Sequence, residues 1–334
     1  MTKLLIQIPC HNEAQTLPAM LADLPHRIDG VDVVEWLVVD DGSTDGTAAV
    51  AREHGVHHIV THRCKRGLAH AFRTGLDACL RRGADIIVNT DGDNQYCGRD
   101  IAALIAPILR GEADVVIGDR HTAENAHFSG SKKLLQRLGS FTVRKLSGTS
   151  VPDAVSGFRA FTREAALNIN IVSSFSYTIE TIIQAGRKRM AVRSVPVRTN
   201  APMRESRLFR TVPEFICKSL ITMVRVYTMY HPLRIFFGLS LVLTVIGAIP
   251  IVRFLFFYFT GDGSGHIQSL VLGGVFVLMG FITLMIGVVA DLVSFNRQLL
   301  EMMLEKVRDV ECDSRSEDDV GSDPTRRRSS ELVH

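Results

Sequence analysis

Two clusters of acidic and small residues follow short apolar segments. One reads DDGSTDG from Asp40, and the other reads DGDNQ from Asp91. Two carboxylates that flank a small residue can hold one divalent cation, and oxygen ligands favour Mg²⁺ or Mn²⁺. A diphosphate can bridge to such a cation and leave as a neutralised group. Asp41 can accept hydrogen bonds from a nucleoside, and Gly42 lets the backbone approach closely. Either cluster alone could instead be an acidic turn or a helix cap.

Alternating apolar runs and helix-like stretches must position these clusters. Strands are predicted at 4–8, 33–39, 58–61, 86–89 and 115–117, with helices between them at 14–24, 44–54, 67–82 and 99–109. A basic helix is predicted at 129–146, strands at 158–162 and 191–197, and a helix at 175–187. This alternation predicts a mostly parallel, doubly wound α/β sheet whose ligands lie beyond the carboxyl ends of the strands. Both acidic clusters follow strands, so we expect both at that edge.

The apolar residues crowd into the part of the chain after Leu233. Segments 235–259 and 267–290 can each span a hydrocarbon core, which needs about 20 apolar residues. The loop between them lacks Lys and Arg, whereas basic residues flank the outer ends. We therefore expect a multi-pass protein of the cell membrane with the first domain and both termini in the cytoplasm. Segment 214–229 is either a helix along the membrane interface or an ordinary core-packing helix.

Composition narrows the function classes further. The net charge is only +3, which gives no indication of nucleic-acid binding. The six cysteines show no metal-binding spacing, so we expect reduced thiols. The tail after Asp309 is acidic and poor in apolar residues, and we expect it to be disordered.

Five motifs stand in a fixed order along the chain. They read IPCHNE, VVDDGSTDGT, GLAHAFRTGLDAC, NTDGDNQY and DAVSGFRAF. This ordered set resembles the family-two inverting glycosyltransferases, specifically the dolichol-phosphate mannosyltransferase-like branch that acts on polyisoprenyl phosphates. The resemblance covers residues 3–211 and implies the GT-A fold, a Rossmann-like α/β domain that binds nucleotide sugars. The twin apolar segments are similar to those of membrane-anchored members.

The resemblance also implies a set of site residues by position. The donor nucleotide would be bound by Pro9, His11, Glu13, Asp41 and Gln95, with residues 65–67 touching the donor. The metal and the diphosphate would be held by Asp91, Asp93 and Gln95, and the catalytic residues would be Asp91, Asp93 and Arg120. Two departures are local: the family often has an aromatic residue where His11 stands, and DAD where this chain has DGD.

The implied acceptor needs a particular kind of site. A phosphate monoester has a second pKa of about 6, so it is largely anionic at neutral pH and needs no general base. It needs cations that hold it in line with the anomeric carbon. The available cations are Arg120, Lys133, Arg137, Arg204 and Arg207. Arg120 and Arg204 match lipid-phosphate positions of the resembled family, although the RESRL segment departs from its RxxGxSK pattern. Contact with anionic lipid headgroups is the alternative for all five.

These observations predict an enzyme with two substrates and a divalent cofactor. We expect inverting transfer of a hexose or N-acetylhexosamine from a UDP- or GDP-linked donor to a dolichyl or undecaprenyl phosphate, with Mg²⁺ or Mn²⁺. One alternative is a sugar-hydroxyl acceptor, which would need Asp153 or Glu180 as a general base. Another is a scaffold that binds the donor without turnover. The expected partners are the membrane and either a second copy of the chain or a downstream integral-membrane glycosyltransferase or flippase.

The same reading divides the chain into four parts. We expect a GT-A domain at 1–211, an amphipathic interfacial helix at 212–232, and a two-helix transmembrane hairpin at 233–294. Residues 295–334 would then be a cytoplasmic helix end and a disordered tail.

Overall fold

The structure is a computed structural model that describes most of the chain. The described residues are 1–120, 147–171, 177–200, 221, 224, 227–228, 231–260 and 266–321. The chain forms two compact units, residues 1–223 with 304–334 and residues 224–303.

The first unit is built on a seven-stranded mixed sheet with the order β3-β2-β1-β4-β6-β5-β7. The strands are β1 (Lys3–Cys10), β2 (Val33–Asp40), β3 (His58–Thr61), β4 (Ile86–Asn89), β5 (Val115–Asp119), β6 (Arg159–Thr162) and β7 (Val192–Pro196). Only β6 runs against its neighbours β4 and β5, whereas the other pairs are parallel. The predicted α/β class is confirmed, and β4 and β5 end at the same edge of the sheet.

Six α-helices in the described part of residues 1–223 flank this sheet. They are α1 (Leu17–Asp23), α2 (Thr47–Glu53), α3 (Leu68–Arg81), α4 (Ile101–Leu109), α5 (Arg163–Asn168) and α6 (Tyr177–Arg187). Helices α1 and α2 each begin three residues later than expected, because the preceding residues form loops that bond to one another. Helix α5 was not predicted, and Thr162 caps it by accepting a hydrogen bond from the Ala165 amide at 3.1 Å. The predicted basic helix at 129–146 lies outside the described residues.

The centre of the sheet supplies the core. Strand β1 is buried from its second residue onward, and β4 is buried throughout. Helix α3 covers one face with residues at helical spacing, including Ala69, Phe72, Leu76 and Cys79. The register pairs Cys10 with Asp40 and Asp40 with Thr61, so the loops after β1, β2 and β3 start side by side.

Two long helices follow, α7 (Pro232–Phe259) and α8 (Ile267–Gly321). The second unit contains α7 and residues 267–303 of α8. Segments 232–259 and 267–297 are both long and apolar enough to cross a membrane, with a hydropathy of 2.5 each. Only 11% and 17% of these segments is buried, so they do not resemble core helices of a soluble domain. Helix α8 continues to Gly321, whereas we expected disorder after Asp309. The sequence has no proline or glycine from 288 to 320, so nothing local ends the helix.

Small residues bring α7 and α8 into close contact. The Ser240 hydroxyl donates a hydrogen bond to the Gly280 carbonyl at 2.7 Å. A Cβ atom at Gly273 would lie 2.6 Å from the Gly247 carbonyl oxygen and 2.5 Å from Ile251 Cγ1. Close approach of two backbones at small residues is a common basis of helix association in membranes.

We expect Gly273→Val to loosen this hairpin, because its branched side chain would meet the α7 backbone. Overpacking of this kind costs about 1–3 kcal/mol. The matched control is Gly274→Val, since a Cβ at Gly274 meets nothing within 4 Å. Thermal unfolding in detergent should show a lower midpoint for Gly273→Val than for the control. Equal midpoints for the two variants would contradict the packing described here.

Candidate active site

The loops that follow β1 and β2 are joined by reciprocal hydrogen bonds. The backbone amide of Asn12 donates a hydrogen bond to Ser43 Oγ at 2.9 Å, and the backbone amide of Thr44 donates one to Asn12 Oδ1 at 2.8 Å. The Glu13 amide donates to Thr47 Oγ1 at 2.9 Å. Asn12 has a φ of 57°, in the left-handed region that asparagine tolerates better than most residues. The polar residues of IPCHNE and DDGSTDGT therefore hold the two motifs against each other.

Asp41 fixes the loop that follows β3. Its side chain is buried, and Oδ1 accepts hydrogen bonds from His62 Nδ1 and from the Arg66 amide, both at 2.8 Å. Oδ2 accepts from the Gly67 amide at 2.7 Å. Burial raises the pKa of the Asp41 carboxyl, but these hydrogen bonds outweigh it, so the pKa lies below its usual value. Most of the acceptor capacity of Asp41 is thus used inside the protein.

Gly42 is required for the same loop to pack. Its φ is 65°, and a Cβ atom there would lie 2.7 Å from both the Cys64 carbonyl carbon and the Lys65 amide nitrogen. A side chain would therefore be strained and would also push the 64–65 peptide away. This places residues 65–67, expected to touch the donor, directly beside the DDG turn.

His62 belongs to this arrangement as well. It is buried, and Nε2 lies 3.0 Å from Thr74 Oγ1 while Nδ1 contacts Asp41. The pairing of Asp40 with Thr61 makes Asp41 and His62 neighbours on adjacent strands. The register of β2 against β3 is the signal that would have identified the role of His62 from the sequence.

The other expected donor residues lie along the same edge. Pro9 is buried near the end of β1. His11 Nδ1 lies 3.0 Å from the Asp41 backbone carbonyl, which can only accept, so this nitrogen carries the proton. The Thr16 hydroxyl lies 2.9 Å from both Glu13 Oε2 and the Gly92 carbonyl, which links this loop to the DGD loop. The assignment of these residues to the donor nucleotide stays a prediction.

Asp91 has the chemistry of an incomplete cation site. Its Oδ1 atom is buried and has no hydrogen-bond partner within the described part of the chain. Burial, followed by the charge of Asp93, raises the pKa of Asp91 to about 7. The backbone amide of Gln95 donates a hydrogen bond to Asp93 Oδ1 at 3.2 Å. An unpaired carboxylate oxygen beside a second carboxylate fits a hard divalent cation.

A cation at this pair would need oxygen atoms from elsewhere. No group of three or more His, Cys, Asp or Glu side chains among the described residues is arranged to hold a metal ion. Mg²⁺ in particular is usually bound by one or two carboxylates together with substrate phosphates and water. The Asp91–Asp93 pair therefore fits a cation that arrives with a phosphate-containing ligand.

Gly157 of the SGF segment lies against the Asp91 carboxylate. A Cβ atom at Gly157 would be 2.8 Å from Asp91 Oδ2 and 3.1 Å from Oδ1. The Gly157 amide donates to the Tyr96 hydroxyl at 3.0 Å, and Asn89 Nδ2 donates to the Gly157 carbonyl at 2.8 Å. Both polar groups of this peptide are thus held by buried side chains. Because Gly157 has no side chain, there is room beside it for the Asp91 carboxylate.

Arg159 is a fully buried cation in β6. It donates from Nε to the Ser156 carbonyl at 2.8 Å and from a terminal nitrogen to the Ala154 carbonyl at 2.9 Å. Its other terminal nitrogen donates to the Thr178 carbonyl and to the Thr181 hydroxyl. Burial lowers the pKa of Arg159 to about 10. Arg159 therefore ties residues 154–157 to α6.

Arg120 stands just after β5 and is held in a fork geometry. Its Nε donates to Asp153 Oδ2 at 2.7 Å, and a terminal nitrogen donates to Asp153 Oδ1 at 3.1 Å. Asp153 is 1% exposed. One edge of the guanidinium is thus fixed by a buried carboxylate, which orients the remaining donors. Glu180 is also buried, and it accepts a hydrogen bond from Gln184 at 3.4 Å.

Four of the expected acceptor residues, Lys133, Arg137, Arg204 and Arg207, lie outside the described residues. Their roles stay predictions.

Comparison with known proteins follows the same motifs. Residues 5–169 match the model of the family described as glycosyl transferase family 2. The chain belongs to this family. The family predicted from the five motifs is therefore confirmed, and the chain is a glycosyltransferase.

Two curated relatives are similar to this chain over more than half of its length. Polyprenol monophosphomannose synthase of Mycolicibacterium smegmatis is 29% identical over 204 residues, which are 58% of this chain and 76% of the relative. UDP-N-acetylglucosamine–dolichyl-phosphate N-acetylglucosaminyltransferase of Methanococcus voltae is 27% identical over 219 residues, 58% of this chain and 83% of the relative. The two relatives differ in sugar, and both names contain a polyprenyl-type lipid.

A solved structure supports the fold. Glucosyl-3-phosphoglycerate synthase from Mycobacterium tuberculosis, crystallised with Mn²⁺, UDP-glucose and phosphoglyceric acid, matches with a TM-score of 0.54. The identity is 21%, and the match covers 68% of this chain and 80% of that chain. This similarity confirms the GT-A fold.

The glycine of DGD has a local explanation. A Cβ atom at Gly92 would lie 2.7 Å from Cys10 Sγ. Gly92 is not among the residues with positive φ, so space and not backbone conformation demands glycine here. The resembled family often has alanine at this position, and in this chain the Cys10 side chain takes up that volume.

We expect Gly92→Ala to destabilise the protein by about 1–3 kcal/mol, because the added methyl group would overlap Cys10 Sγ. Cys10→Ala removes that sulfur, so the double variant should recover most of the loss. Thermal unfolding of the two single variants and the double variant forms a double-mutant cycle, with an expected coupling of about 0.5–3 kcal/mol. Additive effects would show that the two side chains do not compete for space.

The Asp41 hydrogen bonds give a pH-dependent expectation. Folding lowers the pKa of Asp41, so its negative charge stabilises the folded protein at pH values above the unfolded-state pKa of about 3.9. This stabilisation is lost as the pH falls through the folded-state pKa. Asp41→Asn should therefore destabilise the protein at pH 7 by about 1–3 kcal/mol, and the deficit should shrink towards pH 3. Melting temperatures across this range test it, with Asp29→Asn, at an exposed carboxylate, as the control. A deficit that does not change with pH would contradict the assignment.

Proposed function

We propose that this protein transfers a sugar, with inversion, from a nucleoside-diphosphate sugar to a polyisoprenyl phosphate at the cytoplasmic face of a membrane. The observation that carries the proposal is that the Asp91–Asp93 carboxylate site, in which Asp91 Oδ1 has no hydrogen-bond partner among the described residues, shares one edge of the sheet with Arg120. Strands β4 and β5 point the same way because antiparallel β6 lies between them. A site for a cation and a site for an anion thus share this edge.

The donor side uses the residues around the first two strand ends. The fixed loops after β1, β2 and β3 form the wall against which a nucleoside would bind. Asp91 and Asp93 would hold a divalent ion, either Mg²⁺ or Mn²⁺, with the donor diphosphate as the source of further ligands. When bound, such an ion neutralises the charge of the departing diphosphate. The mycobacterial synthase crystallised with Mn²⁺ and UDP-glucose supports this use of the fold.

The acceptor side uses Arg120. Asp153 fixes one edge of its guanidinium, and the remaining donors can bind a phosphate. One phosphate oxygen attacks the anomeric carbon as the bond to the diphosphate oxygen breaks, and no proton has to be removed. Asp153 is buried and ion-paired through both oxygens, which disfavours it as the general base that a hydroxyl acceptor would need. The names of the two curated relatives support the lipid-phosphate acceptor.

The membrane part of the proposal rests on the two apolar helices. We place 1–211 and both termini in the cytoplasm, because the basic residues flank the outer ends of the hairpin. Residues 212–232 would then follow the interface, and 233–294 would cross the membrane twice. A polyisoprenyl phosphate is itself a membrane lipid, so an anchored catalytic domain meets it without leaving the bilayer surface.

Release of nucleoside diphosphate by the detergent-solubilised full chain tests the reaction. We would supply UDP- and GDP-linked hexoses and N-acetylhexosamines, Mg²⁺ or Mn²⁺, and a short polyprenyl phosphate. One donor should react only when the lipid phosphate is present, and Asp91→Asn should abolish release. If one donor reacts with a glycan hydroxyl and none reacts with polyprenyl phosphate, the proposal is wrong.

We expect Arg120→Lys to raise the KM for polyprenyl phosphate by about 10–100-fold, because lysine cannot replace charge-assisted hydrogen bonds worth about 1.5–3 kcal/mol. The KM for the donor should change little. Arg110→Lys is a matched control, since Arg110 makes a similar fork to Glu112 at 2.8 and 3.1 Å on the exposed surface. Equal effects of the two substitutions on the lipid KM would rule out the acceptor role of Arg120.

A further inference from the structure

Helix α8 is far longer than a membrane crossing requires. Its 55 residues span about 80 Å at about 1.5 Å per residue. A bilayer with its headgroups is about 40–45 Å thick. If residues 267–297 cross the membrane, as the proposed function assumes, the rest of α8 extends beyond the lipid. The side chains described on that part must meet water or another protein.

A regular apolar stripe begins at the end of the crossing segment and continues along this part of α8. Val293, Leu300 and Val307 recur every seven positions along the helix. Met303 and Val310 follow Leu300 and Val307 by three positions. We call these five the heptad-stripe residues. In chain order, they are 62%, 65%, 64%, 56% and 68% exposed, so nothing in the described chain covers them. Spacing of three and four is that of the a and d positions of a coiled coil.

Charged residues occupy several of the positions between the stripe residues, namely Glu301, Glu305, Arg308 and Asp309. Leu299, Met302 and Leu304, which also lie between them, are apolar. Exposed Asn296 occupies the d position between Val293 and Leu300. A polar residue at one core position specifies register in coiled coils at some cost in stability. The stripe is therefore apolar except at one core position, Asn296, which can serve as a register marker.

Lipid does not account for the far end of the stripe. Met303 and Val310 lie 36 and 43 residues after Ile267, about 54 and 65 Å along the helix axis. Both distances exceed the thickness of a bilayer with its headgroups, about 45 Å. Folding back onto the membrane surface would need a break in the helix, and the sequence has no proline or glycine from 288 to 320.

A second copy of this chain fits the stripe. All copies enter the membrane in the same direction, so their α8 helices leave it parallel and at the same height. In a parallel pair, a g position of one helix faces the e position five residues later in its partner. Here g is Lys306 and that e position is Glu311 in the sequence, which have opposite charges. Anchoring both helices in one membrane also raises their effective concentration, which favours a coiled coil of only about two and a half heptads.

We propose that two copies of this protein associate through a parallel coiled coil of their α8 helices, with the heptad stripe as its core. This interaction surface is separate from the residues assigned to donor and acceptor. It rests on the membrane insertion of α7 and α8 and not on which sugar is transferred.

Adjacent methionines provide a matched test. Met303 is a stripe residue, whereas Met302 is at a c position outside the seam and is 53% exposed. The mass of the full chain in detergent, measured by light scattering, should be that of a dimer for the wild type and for Met302→Lys. Met303→Lys should halve it. In membranes, oxidative cross-linking should give a stronger dimer band for Met303→Cys than for Met302→Cys.

Charge reversal covers the case in which Met303→Lys fails to fold. Lys306→Glu should weaken association, and Lys306→Glu with Glu311→Lys should restore it. A monomeric wild type overturns the proposal, whether lipid or the chain itself covers the stripe. Equal masses for Met302→Lys and Met303→Lys overturn it as well. Carbonate extraction tests the membrane insertion on which the proposal rests, and release of the wild-type chain from membranes by carbonate would also overturn it. Mass is measured without donor or acceptor, so an inactive protein would refute the proposed function and leave this result unaffected.

Discussion

Electrostatic repulsion at the DGD loop is the constraint around which the first unit is arranged. Asp91 and Asp93 share one short loop, and one oxygen of Asp91 is buried without a partner among the described residues. Such a carboxylate is costly unless a cation compensates it. The pKa of Asp91 is raised by burial and by Asp93, while Arg120 and Arg159 act in the opposite direction. The protein thus only partly compensates this charge, and a divalent ion fits the remainder.

Rigid contacts keep this unfavourable arrangement in place. The chain of buried hydrogen bonds runs from Gln7 in β1 to Asn89 in β4, and from Asn89 to the carbonyl of Gly157. Arg159 adds a second set of bonds that fixes residues 154–157 to α6. Gln7, Asn89 and Arg159 stand on central strands of the sheet. The position of the carboxylate is therefore determined largely by the core of the sheet.

The sequence predicted most of this framework, and the misses have identifiable physical causes. Apolar runs and motifs after strands identified the sheet, its carboxyl edge and the DGD loop. Helices α1 and α2 begin late because Asn12, Ser43 and Thr47 bond the two loops to each other. His62 and Arg159 could not be assigned from their own neighbourhoods. Their roles depend on the β2–β3 register and on carbonyl groups in α6, which come together only in the folded chain.

The three donors to Asp41 change the interpretation of that motif residue. An aspartate after the second strand is readily seen as a direct ligand of the nucleoside, but this one is buried and already accepts from His62, Arg66 and Gly67. Each carboxylate oxygen has two lone pairs, so one acceptor site remains on Oδ2. The larger effect of Asp41 is to hold residues 64–67 against Gly42. In the proposed donor site, discrimination among nucleotides would then depend on the shape of that loop as well as on the aspartate itself.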